Sequence, residues 1–386
     1  MGYQWLAPLV SAGLMVAATS GVVASDRPTH QPTQSGLPAV HLLLAQSASD
    51  LSDTEQEALD DLLIEGQEQI DANDYAAAIS AYERATRIDP DNSRLYSGIG
   101  YLYTQQGRYR DAIPAYEQAI ALEPDNLSFR HALAYSYVQL EDYDQAAEIY
   151  ESILAIAPRD EDAYLGLGGL QVLTGNFDAA LQTYESLTRA VPGTASSYAA
   201  VGSLYLIQAD YEASEAAFLQ ALRVDDSQSA LYVGLAEAQI GLGRSNSAFQ
   251  NLQRAVALNN RDAEAQFLLG EILMQRGDSD GAYRYYRVAV DIDEDFLPAQ
   301  AAAGALALER EQYLQAVLAY RRLTNALPDN AGAHYNLGLA LWGQGFNGQA
   351  VSALRRAQYL YGQNNDPDGV DRVDALLSFW GVAEEE

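Results

Sequence analysis

The sequence predicts an all-α chain, an array of helix-turn-helix hairpins closed by a cap at each end, and three observations predict it. Alanine or serine recurs every 34 residues at Ala78, Ala112, Ala146, Ala180, Ser214, Ala248, Ala282, Ala316 and Ala350. A second comb of the same spacing carries Gly66, Gly100, Gly168, Gly202, Gly270, Gly304 and Gly338, with Ala134 and Ala236 in its gaps. A third carries Tyr82, Tyr116, Tyr150, Tyr184, Phe218, Leu252, Tyr286, Tyr320 and Leu354. Combs held in phase over nine periods specify one unit repeated nine times, each unit burying its apolar face on its neighbours.

Within one period, Tyr96, Ile99, Gly100 and Tyr103 follow the i, i+3, i+4, i+7 spacing of a single helical face. Gly107 breaks that helix, the stretch from Ala112 to Ala119 restores the periodicity, and Pro124 ends the second helix. Small residues recur where two helix axes approach, and aromatic ones where the space to the next hairpin has to be filled. Pro114 lies near the start of a second helix, where backbone N–H groups lack intrahelical partners, so no sharp kink is expected.

The set Tyr96, Ile99, Gly100, Tyr103, Ala112, Tyr116, Ala119 and Pro124 resembles the tetratricopeptide (TPR) repeat at its signature sites and in its period. The resemblance covers 59–364 and implies a right-handed α-solenoid, with the repeat region as a whole spanning 51–364. Asn246 and Leu252 in the sixth repeat, and Gly362 where the ninth would carry a turn proline, depart from the pattern and predict looser packing there. At the front, Ser52 and Glu55 form a capping box that opens the first helix about a turn early. At the back, 365–386 offers a capping helix through Val373, Leu376, Leu377 and Trp380, followed by the acidic tail Glu384, Glu385 and Glu386.

Ahead of the array, 5–25 runs without a charge, and a small residue precedes a cleavage point after Ala24. Residues 1–24 therefore read as a signal peptide, or as a membrane anchor if uncleaved, with export to a periplasm, lumen or cell envelope as the expected destination. Residues 25–50 read as a flexible linker, rich in Pro, Thr, Ser and Gln.

Composition excludes much chemistry. The formal charge is −31, and all 22 basic residues are Arg. Nucleic-acid binding draws most of its affinity from cationic contacts to phosphate, so DNA and RNA are not expected partners. With no Cys there is no thiolate nucleophile or thiolate metal site, and with no Lys there is neither a Schiff base nor a phosphate-cradling P-loop. The four His are His30, His41, His131 and His334, and none has a clustered partner in the sequence. The run from Asp291 to Phe296 begins like a calcium loop, but Phe296 stands where Gly is needed and Ala302 where Glu is needed. No enzyme activity, cofactor or metal is expected.

The resemblance also implies that the first helix of each hairpin lines a concave groove, through positions three before and one after the glycine comb. On this chain those stations hold Ser97, Tyr101, His131 and Tyr135 in the second and third repeats, with Gln105 and Gln139 one turn along and Arg94 nearby. The fourth and fifth repeats offer the shallow Leu165, Gly169, Ala199 and Ser203. The sixth and seventh hold Val233, Glu237, Phe267 and Glu271, followed by Glu309 from the eighth and Tyr335 from the ninth. The Lys, Asn and Arg set with which some family members clamp a C-terminal carboxylate is missing. The expected function is a non-catalytic, monomeric adaptor for a protein or peptide with apolar and basic groups, in the assembly of an envelope or membrane complex. The alternative is a glycan-handling component of polysaccharide export, with Tyr101, Tyr135 or Tyr335 stacking on sugars.

Overall fold

The computed structural model describes residues 51–382, and every regular element among them is an α-helix. The signal segment, the linker, His30, His41 and the Glu384–Glu386 tail lie outside the described residues. Those described fall into two compact units divided between Leu204 and Tyr205. The first unit holds the hairpins α1 (Asp53–Asp71) with α2 (Tyr75–Ile88), α3 (Ser93–Gln105) with α4 (Tyr109–Leu122), α5 (Leu127–Gln139) with α6 (Tyr143–Ile156), and α7 (Glu161–Leu173) with α8 (Phe177–Ala190). The division falls inside α9 (Ala195–Ile207). The second unit continues with α10 (Tyr211–Val224), then α11 (Ser229–Gly241) with α12 (Ser245–Leu258), α13 (Ala263–Gln275) with α14 (Ser279–Ile292), and α15 (Leu297–Glu309) with α16 (Tyr313–Ala326). It closes with α17 (Ala331–Gly343), α18 (Asn347–Gln363) and α19 (Pro367–Phe379).

The glycine and aromatic combs interlock, and this positions the helices. A Cβ at Gly66 would lie 2.3 Å from the Tyr82 ring, one at Gly168 2.2 Å from Tyr184, and one at Gly270 2.5 Å from Tyr286. The rings of Tyr82, Tyr116, Tyr184, Tyr286 and Tyr320 thus rest on the bare backbone of their own first helices, whereas Tyr150 has Ala134 at that station. The other edge of the ring meets the following repeat: Gly98 lies against Tyr82, Gly166 against Tyr150 and Gly234 against Phe218. Burial follows the same pattern, with Tyr82, Tyr116, Tyr150, Tyr184 and Tyr286 at most 2% exposed. Aromatic rings of this size are the largest apolar contributions a repeat can make to its core.

The hairpin turn is equally regular. Asn73, Gly107, Glu141, Gly175, Ala209, Gly243, Gly277, Glu311 and Gly345 stand 34 residues apart, and all have φ between 57° and 84°. The N–H of the next residue then reaches back five places, as in Arg108 to Tyr103 O (2.9 Å) and Asp278 to Leu273 O (2.9 Å), closing a Schellman-type C-terminus. Asn92, Asn126, Asp160, Asp262 and Asn330 cap the first helices with their side chains. One turn on, the side chains of Arg130, Gln300 and His334 bond the carbonyls of Pro124, Glu294 and Pro328 at 2.8–3.0 Å, tying each first helix to the turn before it.

Pro114 sits inside an uninterrupted α4. The expected loosening of the sixth repeat does not occur. Ala248, Leu252 and Ala255 are fully buried, because Leu fills the aromatic station adequately, and the Asn246 side chain accepts a 2.8 Å bond from Arg276. In the ninth repeat, nothing stops α18 at Gly362. It runs 17 residues, against 14 in the other second helices, and turns at Asn365 (φ 55°). Ser52 accepts from the Glu55 N–H and the Glu55 carboxylate accepts from the Ser52 N–H, so the capping box closes α1. On α19, Val373 and Leu377 pack against Leu354 and Ala357, and Trp380 stacks on Trp342 at 3.8 Å and 5°.

Two substitutions test these constraints by chemical denaturation. Ala209→Gly should stabilise the chain by about 0.5–1 kcal/mol, because relief of a left-handed alanine outweighs the entropy glycine loses. Gly168→Val should destabilise it by roughly 2–3 kcal/mol, since the new side chain overlaps Tyr184.

Candidate functional site

In the first unit, α3 and α5 present the predicted stations, and the helices around them close over much of what they offer. Ser97 is buried and its hydroxyl donates to Arg94 O (3.1 Å). Tyr101 and Tyr135 are only 6% and 8% exposed, so neither offers an open ring face. The Tyr135 ring meets Tyr109 edge-on at 6.0 Å, and burial together with the Tyr109 hydroxyl pushes its phenol up to about 12. Tyr101 shifts upward for the same first reason, burial, with Tyr75 adding to it. Arg94 is partly buried near Glu123, whose carboxyl is held low chiefly by hydrogen bonds from Ser93 and Asn126 and to a lesser degree by Arg94. His131 lies 3.2 Å from the Asp160 carboxylate, joining the third repeat to the fourth. Gln105 and Gln139 reach solvent.

The second unit is where carboxylates gather. Val233 on α11 and Phe267 on α13 are buried, and the Phe267 ring meets Phe296 edge-on at 5.4 Å and lies 5.6 Å from Tyr286. Glu271, a turn along α13, is 8% exposed and accepts the Tyr286 hydroxyl; burial raises its pKa and that bond opposes the rise. Glu237 on α11 is pushed well above the carboxylate range, first by burial and then by the charges of Glu264 and Asp262. Glu264 on α13 rises to about 7, again through burial and then Asp262. Asp262 cannot swing away, because it caps α13 by accepting from the Ala265 N–H at 3.0 Å. Among the described residues, no Arg or His pairs with Glu237 or Glu264.

The structure therefore brings Glu237 to a carboxylate that the sequence reading passed over. Glu264 occupies the same station in the seventh repeat that Arg94 occupies in the second, five periods earlier, so carrying Arg94 along the comb would have found it. Glu309 is exposed at the end of α15, and Tyr335 is partly buried beside Arg372, whose charge opposes the upward shift that burial gives its phenol. Poorly hydrated carboxylates beside buried apolar side chains favour a guanidinium or ammonium group brought from outside. No described group of three or more His, Asp or Glu is arranged to hold a metal ion.

Models of the tetratricopeptide repeat match 65–130, 137–204, 195–228, 233–295 and 304–345. The chain belongs to the tetratricopeptide repeat family. A TPR repeat-containing protein of Picosynechococcus sp. is 38% identical over 80 residues, a stretch that spans 21% of this chain and 21% of that relative's length. Among solved structures, a tetratricopeptide repeat protein from Parabacteroides merdae superposes with a TM-score of 0.51 at 18% identity, over 64% of this chain and 99% of its own. The APC/C hetero-tetramer Cut9-Hcn1 gives the same TM-score at 16% identity, over 87% of this chain and 66% of its own. At these identities the likeness is one of fold: an all-α solenoid of tandem repeats. Tetratricopeptide arrays are scaffolds for protein and peptide partners, and this chain shares that scaffold.

The raised carboxyls give stability a pH dependence of known sign. A carboxyl with a folded pKa above its unfolded value costs nothing while both states are protonated, and the cost is complete once both are ionised. For Glu264 that window runs from the ordinary 4.5 to about 7. Thermal denaturation should show Glu264→Gln gaining stability over wild type as pH rises through this window, by on the order of 1–2 kcal/mol above it. Parallel curves for the two proteins would contradict the assignment.

Proposed function

We propose that this chain is a non-catalytic adaptor that holds a protein or peptide partner bearing basic and apolar side chains on the first helices of its sixth and seventh repeats. The observation that carries the proposal is the pair Glu237 and Glu264, half-buried, repelled by a fixed Asp262 and paired with no Arg or His among the described residues. A partner's Arg or Lys entering there replaces lost hydration with a Coulombic contact in a medium less polar than water, while Val233 and Phe267 are the apolar neighbours on the same helices. The extended or helical segment such a site suits belongs to the ordinary modes of peptide recognition. The buried rings of Tyr101 and Tyr135 favour this reading over glycan handling, which needs open aromatic faces.

The chain works in an exported compartment, as an assembly factor for an envelope or membrane complex, after removal of 1–24. Its N-terminal sequence, read from protein isolated from its host, should then begin at Ser25.

The binding reading is tested by co-purification from the native envelope, comparing wild type with Glu237→Gln/Glu264→Gln. Each substitution keeps the shape of the side chain and removes its ability to ionise against a cation. The expected result is a protein captured by wild type, lost from the double variant, and released by raised salt because the contact is ionic. Equal capture by both would place binding elsewhere.

A further inference from the structure

The second helices of the hairpins in the second unit, the outer ones where first helices line a groove as the repeat family implies, carry a charge pattern that Glu237 and Glu264 do not explain. Helices α12, α16 and α18 contain no Asp or Glu at all. At the chain's frequency of 53 acidic residues in 386, helices of 14, 14 and 17 residues would together carry about six. They hold Arg254, Arg321, Arg322, Arg355 and Arg356 instead, and α14 adds Arg284 and Arg287. Arg287, Arg321 and Arg355 stand 34 residues apart, one per repeat at the same station. The outer helix α6 of the first unit is the reverse, with Asp144, Glu148 and Glu151 and no Arg.

Some of these guanidinium groups hold the array together. Arg322 pairs with Glu294, and Arg356 with Asp329 at 2.9 Å. Others do not: Arg284 and Arg287 are exposed and make no ion pair among the described residues, and Arg321 donates only to the neutral Gln349 side chain, at 3.0 Å. Large apolar groups lie on the same helices, with Leu314 and Leu318 each 56% exposed and Tyr359 57%. Between α14, α15 and α16 an open cleft of about 220 Å³ has Val290, Ala303 and Leu318 on its walls, with Arg287 and Arg322 beside them. Arg322 and Glu294 neutralise each other in that lining, leaving Arg287 and Asp291 as its remaining charges, so the cationic surplus of the face comes from Arg284 and Arg321 outside the cleft.

We propose that this face, the outer helices of the seventh to ninth repeats, is a second interaction surface, and that its occupant is an acidic segment of a partner protein with apolar side chains between its carboxylates. Charge complementarity sets the sign: α16 and α18 carry only Arg, α14 balances Arg284 and Arg287 against Asp280 and Asp291, and the three together are cationic on a chain of net charge −31. Arginine sets the chemistry, because its planar fork matches a carboxylate. The cleft sets the form: a concave depression in which Val290, Ala303 and Leu318 sit among Arg, Gln and carboxylate side chains receives a side chain of a peptide, whereas a lipid surface would meet a flat face. The surface is independent of the carboxylates on α11 and α13.

The test uses the full chain and a short fluorescein-labelled peptide of alternating Glu and Leu, read by fluorescence anisotropy. Arg284→Gln/Arg287→Gln/Arg321→Gln should bind it about tenfold more weakly than wild type, as expected for the loss of a few exposed ion pairs. Arg189→Gln/Arg223→Gln, a charge change on the second helices of the fourth and fifth repeats, should bind as wild type does, and so should Glu237→Gln/Glu264→Gln. Circular dichroism spectra matching wild type, with melts no lower than its own, exclude loss of fold in each variant. Undiminished binding of a Gln-for-Glu peptide, equal weakening in the Arg189/Arg223 variant, or no binding by wild type would each overturn the proposal. So would the absence of peptide binding together with capture on phosphatidylserine vesicles, or with self-association in light scattering, that the triple variant abolishes; these would assign the face to lipid or to a second copy.

Discussion

The structure depends on one contact made again in each repeat, a large side chain from the second helix seated on the backbone of the first. Glycine at Gly66, Gly168 or Gly270 is needed because the ring comes closer than any Cβ would allow. The ring in turn is needed because without it the small-residue stripe would face a void, and a cavity of aromatic size is among the most destabilising defects a core can carry. Since the same ring also touches the next repeat, as Tyr82 does at Gly98, one residue sets both the spacing within a hairpin and the stacking between hairpins. The turn residue and the helix caps then fix where each helix stops, so the array's geometry is specified locally and needs little long-range information.

Stability and the proposed binding role place opposite demands on α11 and α13. Folding would favour neutral or paired groups at Glu237 and Glu264, and the chain instead holds two carboxylates there beside a third that is tied down as a cap. A group that weakens the free protein in this way is one whose cost a cationic ligand can remove. The outer helices show the converse economy: part of their arginine is consumed in ties between repeats, as at Arg322 and Arg356, and part is left facing solvent.

The fold was legible in the sequence because its determinants are local and periodic. Gly100, Ala112 and Tyr116 announce the hairpin by spacing alone, and Ser52 with Glu55 announces where the array begins. The site was less legible, for a physical reason. Position relative to the glycine comb says which helix face a residue lies on, but it does not say how deeply neighbouring helices cover that face. Tyr101 and Tyr135 lie at predicted groove stations, yet the second-helix residues packed beside them, Tyr109 against Tyr135 among them, bury both rings. The comb reaches Glu264 from Arg94, but its importance comes from proximity to Glu237 and Asp262 across two helices, which position in the repeat alone does not weigh. The left-handed turn station was half visible: glycine marks five of its nine members, and Asn73, Glu141, Ala209 and Glu311 show that backbone geometry is imposed there even without it.

The closure of the last hairpin by α19 has an optical consequence. Of the chain's three tryptophans, Trp5 lies outside the described residues, and the other two are the stacked pair Trp342 and Trp380. The array's tyrosines are distributed along its length, but its indoles are concentrated where the terminal helix meets the ninth repeat. Tryptophan emission from 51–382 is thus a local gauge of the C-terminal closure, blind to the interior repeats, while a backbone signal such as circular dichroism averages over all of them.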